Sequence, residues 1–319
     1  MALTTSTTYG DMILPEIIAN LVLEAPTPKA VVSKLANFVS IAGQPTGSIA
    51  MPRFADLGAA ANVAENADVS STTLSMGTQS TFTPAYYGMM GEVTFKAMRE
   101  KMPGLTSVYQ LFDGTATVDQ QLAVFAQEAQ RLKNAMDEAI ETAACADFAS
   151  LSDSVGSTTV DLTIANLEEA IFEQAKNEIR NENLAFCLAP AQLFDLRSAI
   201  TSSTATIFST DVQSIINVTP DLSLDGLRGS LFGIPVYEMS QSVVATANAG
   251  ADVVGALIIR GSGEPTSSDY GTLVVCEGCA LHYTFDADMS KRAAEIQINY
   301  EFDVGLRAAD LGVKIVTDA

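Results

Sequence analysis

The clearest pattern in the sequence lies near its C-terminal end, where apolar and polar residues alternate. The apolar positions are Ile296, Ile298, Tyr300, Phe302, Val304 and Leu306; the polar ones are Glu295, Gln297, Asn299, Glu301, Asp303 and Arg307, and Gly305 fills the remaining outer place. Because successive residues of a strand point to opposite faces, this alternation predicts a strand of about 40 Å with one buried face. A second alternation, Leu311, Val313 and Ile315, follows a predicted turn near Ala309 and Asp310.

A long amphipathic helix is predicted from Thr117 to Ser150, a stretch without glycine or proline. Thr117 and Gln120 have the spacing of a capping box. The apolar face consists of Val118, Leu122, Phe125, Ala129, Leu132, Met136, Ile140 and Ala143. Such a helix is roughly 45–50 Å long, close to the length of the predicted strand, and the two can bury each other. A coiled-coil dimer is the alternative, but alanine, phenylalanine and methionine make a poor seam for one.

The first part of the chain mixes polar residues with short apolar stretches. Two short apolar-periodic stretches, 13–23 and 30–39, predict an arm with short helices and no core. Strands are then predicted at Ile49–Phe54 and Thr81–Phe95, with a polar tip between them. Pro84 confines the second strand to a sheet edge, and Gly88 and Gly91 predict bulges. An isolated two-stranded hairpin is barely stable in water, so this arm is expected to lie on another surface.

Between residues 162 and 275 the pattern alternates between helix and strand, which predicts a compact mixed α/β domain. Thr163 can cap a helix that runs through Ile179, and Pro190 opens a second helix. The inner face of the first helix is predicted to hold Leu167, Ile171 and Ala175. The predicted strands are Leu184–Leu188, Ile234–Glu238, Val253–Arg260 and Thr272–Glu277.

Charge is the most unusual bulk property of the 319-residue chain. Seventeen Lys and Arg residues face 38 Asp and Glu residues, a formal net charge of −21. Without a cluster of cations, tight binding to duplex DNA is not expected. No apolar stretch reaches the ~18 residues of a membrane span, and the start of the chain lacks the pattern of a secretory signal.

Candidate chemistry is sparse. His282 is the single histidine, and the sequence contains no metalloprotease, phosphate-loop, dinucleotide-binding or nucleophile-elbow motif. Cys276 and Cys279 have metal-like spacing, but a structural zinc site needs four ligands; a strand followed by a turn explains the segment. Cys145 and Cys187 are expected to be core thiols. We therefore predict no catalytic residue, no cofactor and no metal.

The order of the predicted parts resembles the major capsid proteins of tailed phages, which have the Hong Kong 97 type fold. The stretches that carry the resemblance are Pro15–Ala19, Val31–Leu35, Ser48–Phe54 with Val63–Glu65, Gly91–Phe95 and Leu231–Tyr237, the last resembling the Gly-x-Pro-Val segment of that family. Each motif is weak alone, and their order carries the resemblance across nearly the whole chain.

The resemblance implies an α+β fold in five parts. These are an N-terminal arm (1–47), an extended β-hairpin loop (48–96), a peripheral domain with a spine helix (97–161), an axial domain (162–281) and the C-terminal long strands of the peripheral domain (282–319). It also implies a virion protein that assembles in the host cytoplasm into pentamers and hexamers of an icosahedral shell around double-stranded DNA. The expected inter-subunit contacts are Arg53, Phe54, Glu65, Tyr86 and Tyr87.

The resemblance also implies three further protein partners: a separate scaffolding protein, a portal and a decoration protein. It implies that packaged DNA is contacted weakly and without sequence specificity. No membrane partner is expected. Some relatives cross-link their subunits through a lysine on the extended loop, but here no lysine lies between Lys34 and Lys96. The sequence therefore predicts a non-covalent shell.

Three alternatives remain open at this point. An encapsulin-like compartment has the same fold and holds cargo enzymes in place of a genome. A soluble α/β enzyme or binding domain would be a monomer or small oligomer with a concave polar site. A phage tail or adhesion subunit would be richer in β-structure and repeats.

Overall fold

The computed structural model of the chain describes residues 30–42, 47–54, 76–96, 126–177, 183–202, 227–247, 252–261, 271–288 and 290–318. The predicted helical stretch 13–23, the capping pair Thr117 and Gln120, and Glu65 lie outside these residues. The described part is α+β, as expected from the sequence.

Three helices and thirteen strands make up the described structure. The helices are α1 (Ala126–Ala146), α2 (Ile164–Lys176) and α3 (Pro190–Ser202), with 3-10 turns at Ser33–Leu35, Asp147–Ser150 and Ala309–Leu311. The strands are β1 (Asn37–Ser40), β2 (Ile49–Phe54), β3 (Met76–Phe82), β4 (Ala85–Thr94), β5 (Asp153–Gly156), β6 (Leu184–Leu188), β7 (Leu227–Leu231), β8 (Ile234–Glu238), β9 (Ala245–Ala247), β10 (Asp252–Ile259), β11 (Leu273–Asp288), β12 (Ala293–Leu306) and β13 (Gly312–Asp318).

A four-stranded sheet contains the two longest strands, in the order β1-β11-β12-β4. The predicted alternation is confirmed on β12, where Ile296, Ile298 and Phe302 are fully or almost fully buried. Helix α1 packs on this face through Leu132, Met136 and Ile140, which belong to the same apolar cluster. The long helix and the long strand therefore bury each other, as predicted.

A seven-stranded sheet forms the second half of the fold, in the order β5-β13-β10-β6-β8-β7, with β9 also pairing with β10. All eight residues of the central strand β10 are buried. Helices α2 and α3 cover one face, where Leu167, Leu193 and Leu257 share a cluster. On the other face Ile258 belongs to the same cluster as Ile296 of the first sheet, so one continuous core joins the two sheets.

Several local predictions are wrong. Helix α2 is capped by Thr163 as predicted, but it ends at Lys176 and buries Leu167, Ala170 and Gln174. Ala175 is exposed and Ile171 only partly buried, because the buried face follows the spacing of Leu167, Ala170 and Gln174 and not the predicted steps of four residues. On β12 the polar Asn299 is also buried, where its amide donates to Thr284 Oγ1 at 3.3 Å.

The segment from Ala30 to Val39 is not a helix of a coreless arm. It forms the 3-10 turn Ser33–Leu35 and then β1, which runs parallel to β11. Val32, Leu35 and Ala36 lie in the main core. The pairing of Asn37–Ser40 with β11 outweighs the weak helical periodicity.

Glycine was also misinterpreted in the strands. Gly88 and Gly91 sit in an uninterrupted ladder with β12, without a bulge. A side chain at Gly88 would lie 2.9 Å from Asn299 Oδ1, and one at Gly91 would lie 2.9 Å from Glu128 Cγ. At both positions a larger residue would have to displace a neighbouring side chain. The predicted strand Thr81–Phe95 is in fact two strands, interrupted at Thr83 and Pro84.

The segment around Cys276 contains a strand with no turn after it. Strand β11 continues to Asp288, and the irregularity lies in its pairing with β12, which shifts between Glu277 and Cys279 and again before His282. Strand β11 crosses residue 281, where we placed the limit between the axial and C-terminal parts. The domain limits themselves stay a prediction.

Candidate inter-subunit surface

The extended hairpin is built from β2 and β3, which pair antiparallel with each other. Among the described residues these two strands form a separate two-stranded sheet. Ribbons of this kind are marginal on their own. Arg53 and Phe54 lie at the far end of β2, where Phe54 is the register partner of Met76. The hairpin therefore places both residues away from the main core, and their contact with a neighbour stays a prediction.

The base of the hairpin is fixed by a small apolar cluster. Phe82 at the end of β3 is buried against Ile41, Val274 and Cys276. Gly305 of β12 leaves room for this ring, since a side chain there would lie 2.9 Å from Phe82 Cε1. The hairpin thus leaves the body of the subunit from a defined point.

Two hydrogen bonds reinforce this attachment. Ser80 Oγ donates to the carbonyl of Arg307 at 2.7 Å, and the backbone N–H of Thr83 donates to Asp303 Oδ2 at 2.7 Å. Thr83 lies in the two-residue connection between β3 and β4. Both bonds join the hairpin to the end of β12 and the residue that follows it.

Tyr86 and Tyr87 follow at once on β4, where neighbouring residues point to opposite faces of the sheet. The Tyr87 ring stacks on Phe302, with ring centroids 4.2 Å apart, yet Tyr87 is 41% exposed. Tyr86 is 64% exposed. The structure adds Met89, which is 50% exposed on the same face as Tyr87. Its spacing of two residues from Tyr87 was the sequence signal that we missed.

Among the described residues, β4 is the last strand of its sheet, and its exposed half carries no charged side chain. The one charge on β4, Glu92, is bound to Lys291 Nζ at 2.9 Å. Lys291 also lies 3.4 Å from Asp288 and 3.2 Å from Glu295. Native edge strands are normally protected by charges, prolines or bulges. The regular, apolar half of β4 has none of these, which is typical of an edge that another chain covers.

A second set of exposed apolar side chains lies on the other half of the fold. Phe172 on α2 and Phe194 on α3 point outward, the latter 73% exposed. Phe232 lies with Gly233 in the two-residue turn between β7 and β8, with φ values of +54° and +79°. A turn with two positive φ values favours Asn-Gly, and a phenylalanine there costs on the order of 1 kcal/mol.

A fully buried carboxylate on α1 holds the backbone of the N-terminal segment, a contact that the sequence did not predict. Glu141 on α1 is fully buried. Its carboxylate accepts the backbone N–H groups of Val31 and Val32 on Oε1, at 3.0 and 2.7 Å, and that of Ser33 on Oε2, at 2.9 Å. A buried carboxylate is stable only with such partners. It fixes the place where the N-terminal arm joins the body.

The described residues offer little for catalysis. No group of three or more His, Cys, Asp or Glu residues in them is arranged to hold a metal ion. His282 is exposed, with Nδ1 3.2 Å from the carbonyl oxygen of Ala280. Burial, with the charge of Glu141 as a further cause, raises the pKa of the Cys145 and Cys187 thiols. Both are core thiols, as predicted, and both are protonated at neutral pH. None of the described helices is long and apolar enough to cross a membrane.

The described residues form a body of two sheets, with a two-stranded ribbon attached to it. The chain has the Hong Kong 97 type fold of tailed-phage capsid proteins. No protein-family model matches the chain, and no curated protein matches it by sequence.

Solved structures similar to the chain were found. The chain is similar to the acid-stable capsid of Helicobacter pylori bacteriophage KHP30, with a TM-score of 0.62 and 10% identity over 100% of this chain and 98% of that one. The capsid of cyanophage P-SCSP1u gives a TM-score of 0.59 and 10% identity over 95% and 94% of the two chains. The SrpI encapsulin of Synechococcus elongatus gives 0.58 and 12% over 100% and 96%.

Proposed function

We propose that the chain is the major capsid protein of a tailed phage, a structural subunit and not an enzyme. Its copies form pentamers and hexamers, and these close into an icosahedral shell around double-stranded DNA. The observation that carries this proposal is the hairpin of β2 and β3, whose described strands pair only with each other. A ribbon with so little core of its own is explained by a neighbouring copy that covers it.

In this proposal the hairpin lies across the next subunit, where Arg53, Phe54 and Glu65 make contacts, and Tyr86 and Tyr87 add an apolar contact near its base. The axial domain surrounds the five- or six-fold axis. Burial of aromatic side chains is the usual source of affinity in such interfaces. A net charge of −21 supports only weak, non-specific contact with the packaged DNA.

Assembly takes place in the host cytoplasm, and the mature protein resides in the virion. A separate scaffolding protein guides closure, a portal occupies one vertex and a decoration protein binds the outside. Subunits are held together without covalent cross-links, since no lysine lies between Lys34 and Lys96.

The test is electron microscopy of the expressed chain after size-exclusion chromatography. We expect closed shells, or rings of five and six copies. Because scaffolding can be necessary, a monomeric product is examined again with the scaffold and portal supplied. A chain that remains monomeric under those conditions would contradict the proposal.

An encapsulin-like compartment is the second candidate, supported by the similarity to the SrpI encapsulin along the whole chain. The two candidates differ in contents. Native particles that contain double-stranded DNA support the phage capsid, whereas particles that contain a cargo enzyme and no genome support the compartment.

A further inference from the structure

Strand β4 leaves a short uncharged strip open along its outer edge. Among the described residues it has a neighbour on one side only, the strand β12. The first five residues of β4, from Ala85 to Met89, are all exposed. The residues that face them on β12 are packed, with Ile298 and Phe302 almost completely buried. The strip is therefore open on both faces and along its edge, although the strand beside it belongs to the core.

The hydrogen-bonding pattern of the sheet identifies the backbone groups that point outward. The N–H of Phe95 donates to the carbonyl of Arg292 at 2.9 Å, and these two residues continue the register of the ladder between β4 and β12. Hydrogen-bonded pairs alternate along an antiparallel ladder, so the odd-numbered residues of β4 direct their backbone groups at β12. The ladder has no bulge. The backbone groups that point away from β12 on the open strip are therefore those of Tyr86, Gly88 and Met90.

The side chains of this strip are complementary to a second copy of themselves. Residues 86–90 read Tyr-Tyr-Gly-Met-Met, with Gly88 at the centre. Two such strips in antiparallel orientation about Gly88 place Tyr86 opposite Met90 on one face, and Tyr87 opposite Met89 on the other. Methionine sulfur packs favourably against aromatic rings. In this register each outward residue also meets an outward residue, so the backbone groups of both strips can be paired.

Charge also favours this register. The chain has a net charge of −21, so a contact between copies is stable only where like charges do not meet. In the antiparallel arrangement Glu92 faces Pro84 of the other copy, and within its own subunit it is bound to Lys291 Nζ at 2.9 Å. Strand β3 is also uncharged, but its single aromatic residue, Phe82, is buried at the base of the hairpin. It therefore offers β4 few apolar side chains.

We propose that β4 joins two copies of this chain by antiparallel pairing of residues 86–90 across a two-fold axis. The four-stranded sheet of one copy then continues into that of the other, and Tyr86, Tyr87 and Met89 become buried. The same patch serves both copies, as a two-fold contact requires. This contact needs only two copies and does not rest on the proposed shell. In such a shell it would lie on a two-fold axis between rings.

Disulfide trapping in the full-length chain tests this pairing, with the exposed Cys279 changed to Ser in every variant. Tyr87 and Met89 of opposite copies form a non-hydrogen-bonded pair, whose Cα atoms lie about 4.5 Å apart, within the reach of a disulfide. The double variant Tyr87→Cys/Met89→Cys is therefore expected to run mostly as a covalent dimer after mild oxidation, on a denaturing gel without reductant.

The two single variants are the matched controls for the register. Tyr87 and its own copy lie on a diagonal of the pair, about 7–8 Å apart, which is at or beyond the limit for a disulfide. Tyr87→Cys or Met89→Cys alone should give at least several-fold less dimer than the double variant. Met90→Pro, added to the double variant, removes an outward N–H and keeps the bonds to β12, so it should also reduce the dimer several-fold.

A second pair covers the case in which the double variant does not fold. Tyr86→Cys/Met90→Cys, joined by a short thiol-reactive cross-linker, probes the opposite face of the same pairing, and Tyr86 is mostly exposed in the subunit. Equal dimer from the single and double variants would overturn the proposed register.

Oxidation of the free chain and of assembled particles separates this proposal from the proposed function. Covalent dimers without particles would support the pairing alone. Particles in which neither cysteine pair links would overturn the pairing and leave the capsid proposal standing, with another segment, such as β3 of a neighbouring copy, on the edge of β4.

Discussion

Glu141 Oε1 accepts the backbone N–H of Val32 at 2.7 Å, across 109 positions of sequence. The helix residue thereby anchors the segment that leads into the N-terminal arm. Backbone N–H groups are present whatever the side chain, so only the acidic residue on α1 could indicate this contact in the sequence. Glu141 alone is an ambiguous signal, because most acidic residues on helices face solvent.

Replacing this acid should loosen the arm. In Glu141→Gln the amide cannot accept all three N–H groups, because its own N–H₂ faces one of them. We expect a loss on the order of 3 kcal/mol in the free energy of unfolding, measured by urea denaturation, and faster proteolysis near residue 33. Glu138→Gln, one turn earlier on α1, is the control and should change stability by less than about 0.5 kcal/mol. Equal effects of the two variants would contradict the anchoring role.

Tyr86 should matter for assembly and not for folding, because its side chain is 64% exposed in the subunit. We expect Tyr86→Ser to leave the free energy of unfolding within about 0.5 kcal/mol of wild type while the yield of closed particles falls at least several-fold. The measurement is the particle fraction in size-exclusion chromatography at matched protein concentration. Tyr86→Phe retains the ring and should assemble normally. Normal assembly of Tyr86→Ser would remove this residue from the proposed interface.

Replacing Phe232 should raise the stability of the isolated subunit and lower the yield of particles. Asparagine suits the left-handed turn, so Phe232→Asn should stabilise the isolated chain by about 0.5–1 kcal/mol. If the exposed ring serves a contact between copies, the same variant should form particles less readily. Thermal unfolding and particle yield together check this. A variant with a lower Tm would show instead that the ring stabilises the subunit itself.

Mature particles should dissolve into single chains under denaturing conditions. A cross-link of the lysine–asparagine type needs a loop amine, and the sequence has none between Lys34 and Lys96. Gel electrophoresis of boiled particles should show one band near the 33.6 kDa of the chain. A ladder of multimers would contradict the non-covalent shell.

The sequence predicted those elements whose periodicity extends over many residues. The alternation on β12 and the apolar face of α1 each repeat a single rule, and Leu184–Leu188 and Ile234–Glu238 match strands to the residue. Predictions that depended on one or two residues were less secure. Gly88 and Gly91 lie where a larger side chain would meet Asn299 and Glu128, which are distant in sequence.

The candidate surface was predicted only in part for a similar reason. Tyr86 and Tyr87 were named through the family resemblance, whereas Met89 and Phe232 became visible only once their exposure was known. Exposure depends on which neighbours the fold supplies. An apolar residue on a strand has the same local pattern whether a helix covers it or solvent does.

The continuous core that joins the two sheets has a consequence for how such a subunit could adapt to different surroundings. Ile258 and Ile296 lie in one packed cluster, and close-packed interiors resist bending. A copy placed where the curvature differs would then have to adapt outside that core and beyond the fixed base at Phe82, in the strands of the hairpin that pair only with each other among the described residues. The body would behave as a rigid tile, and its attached ribbon as the adjustable joint between tiles.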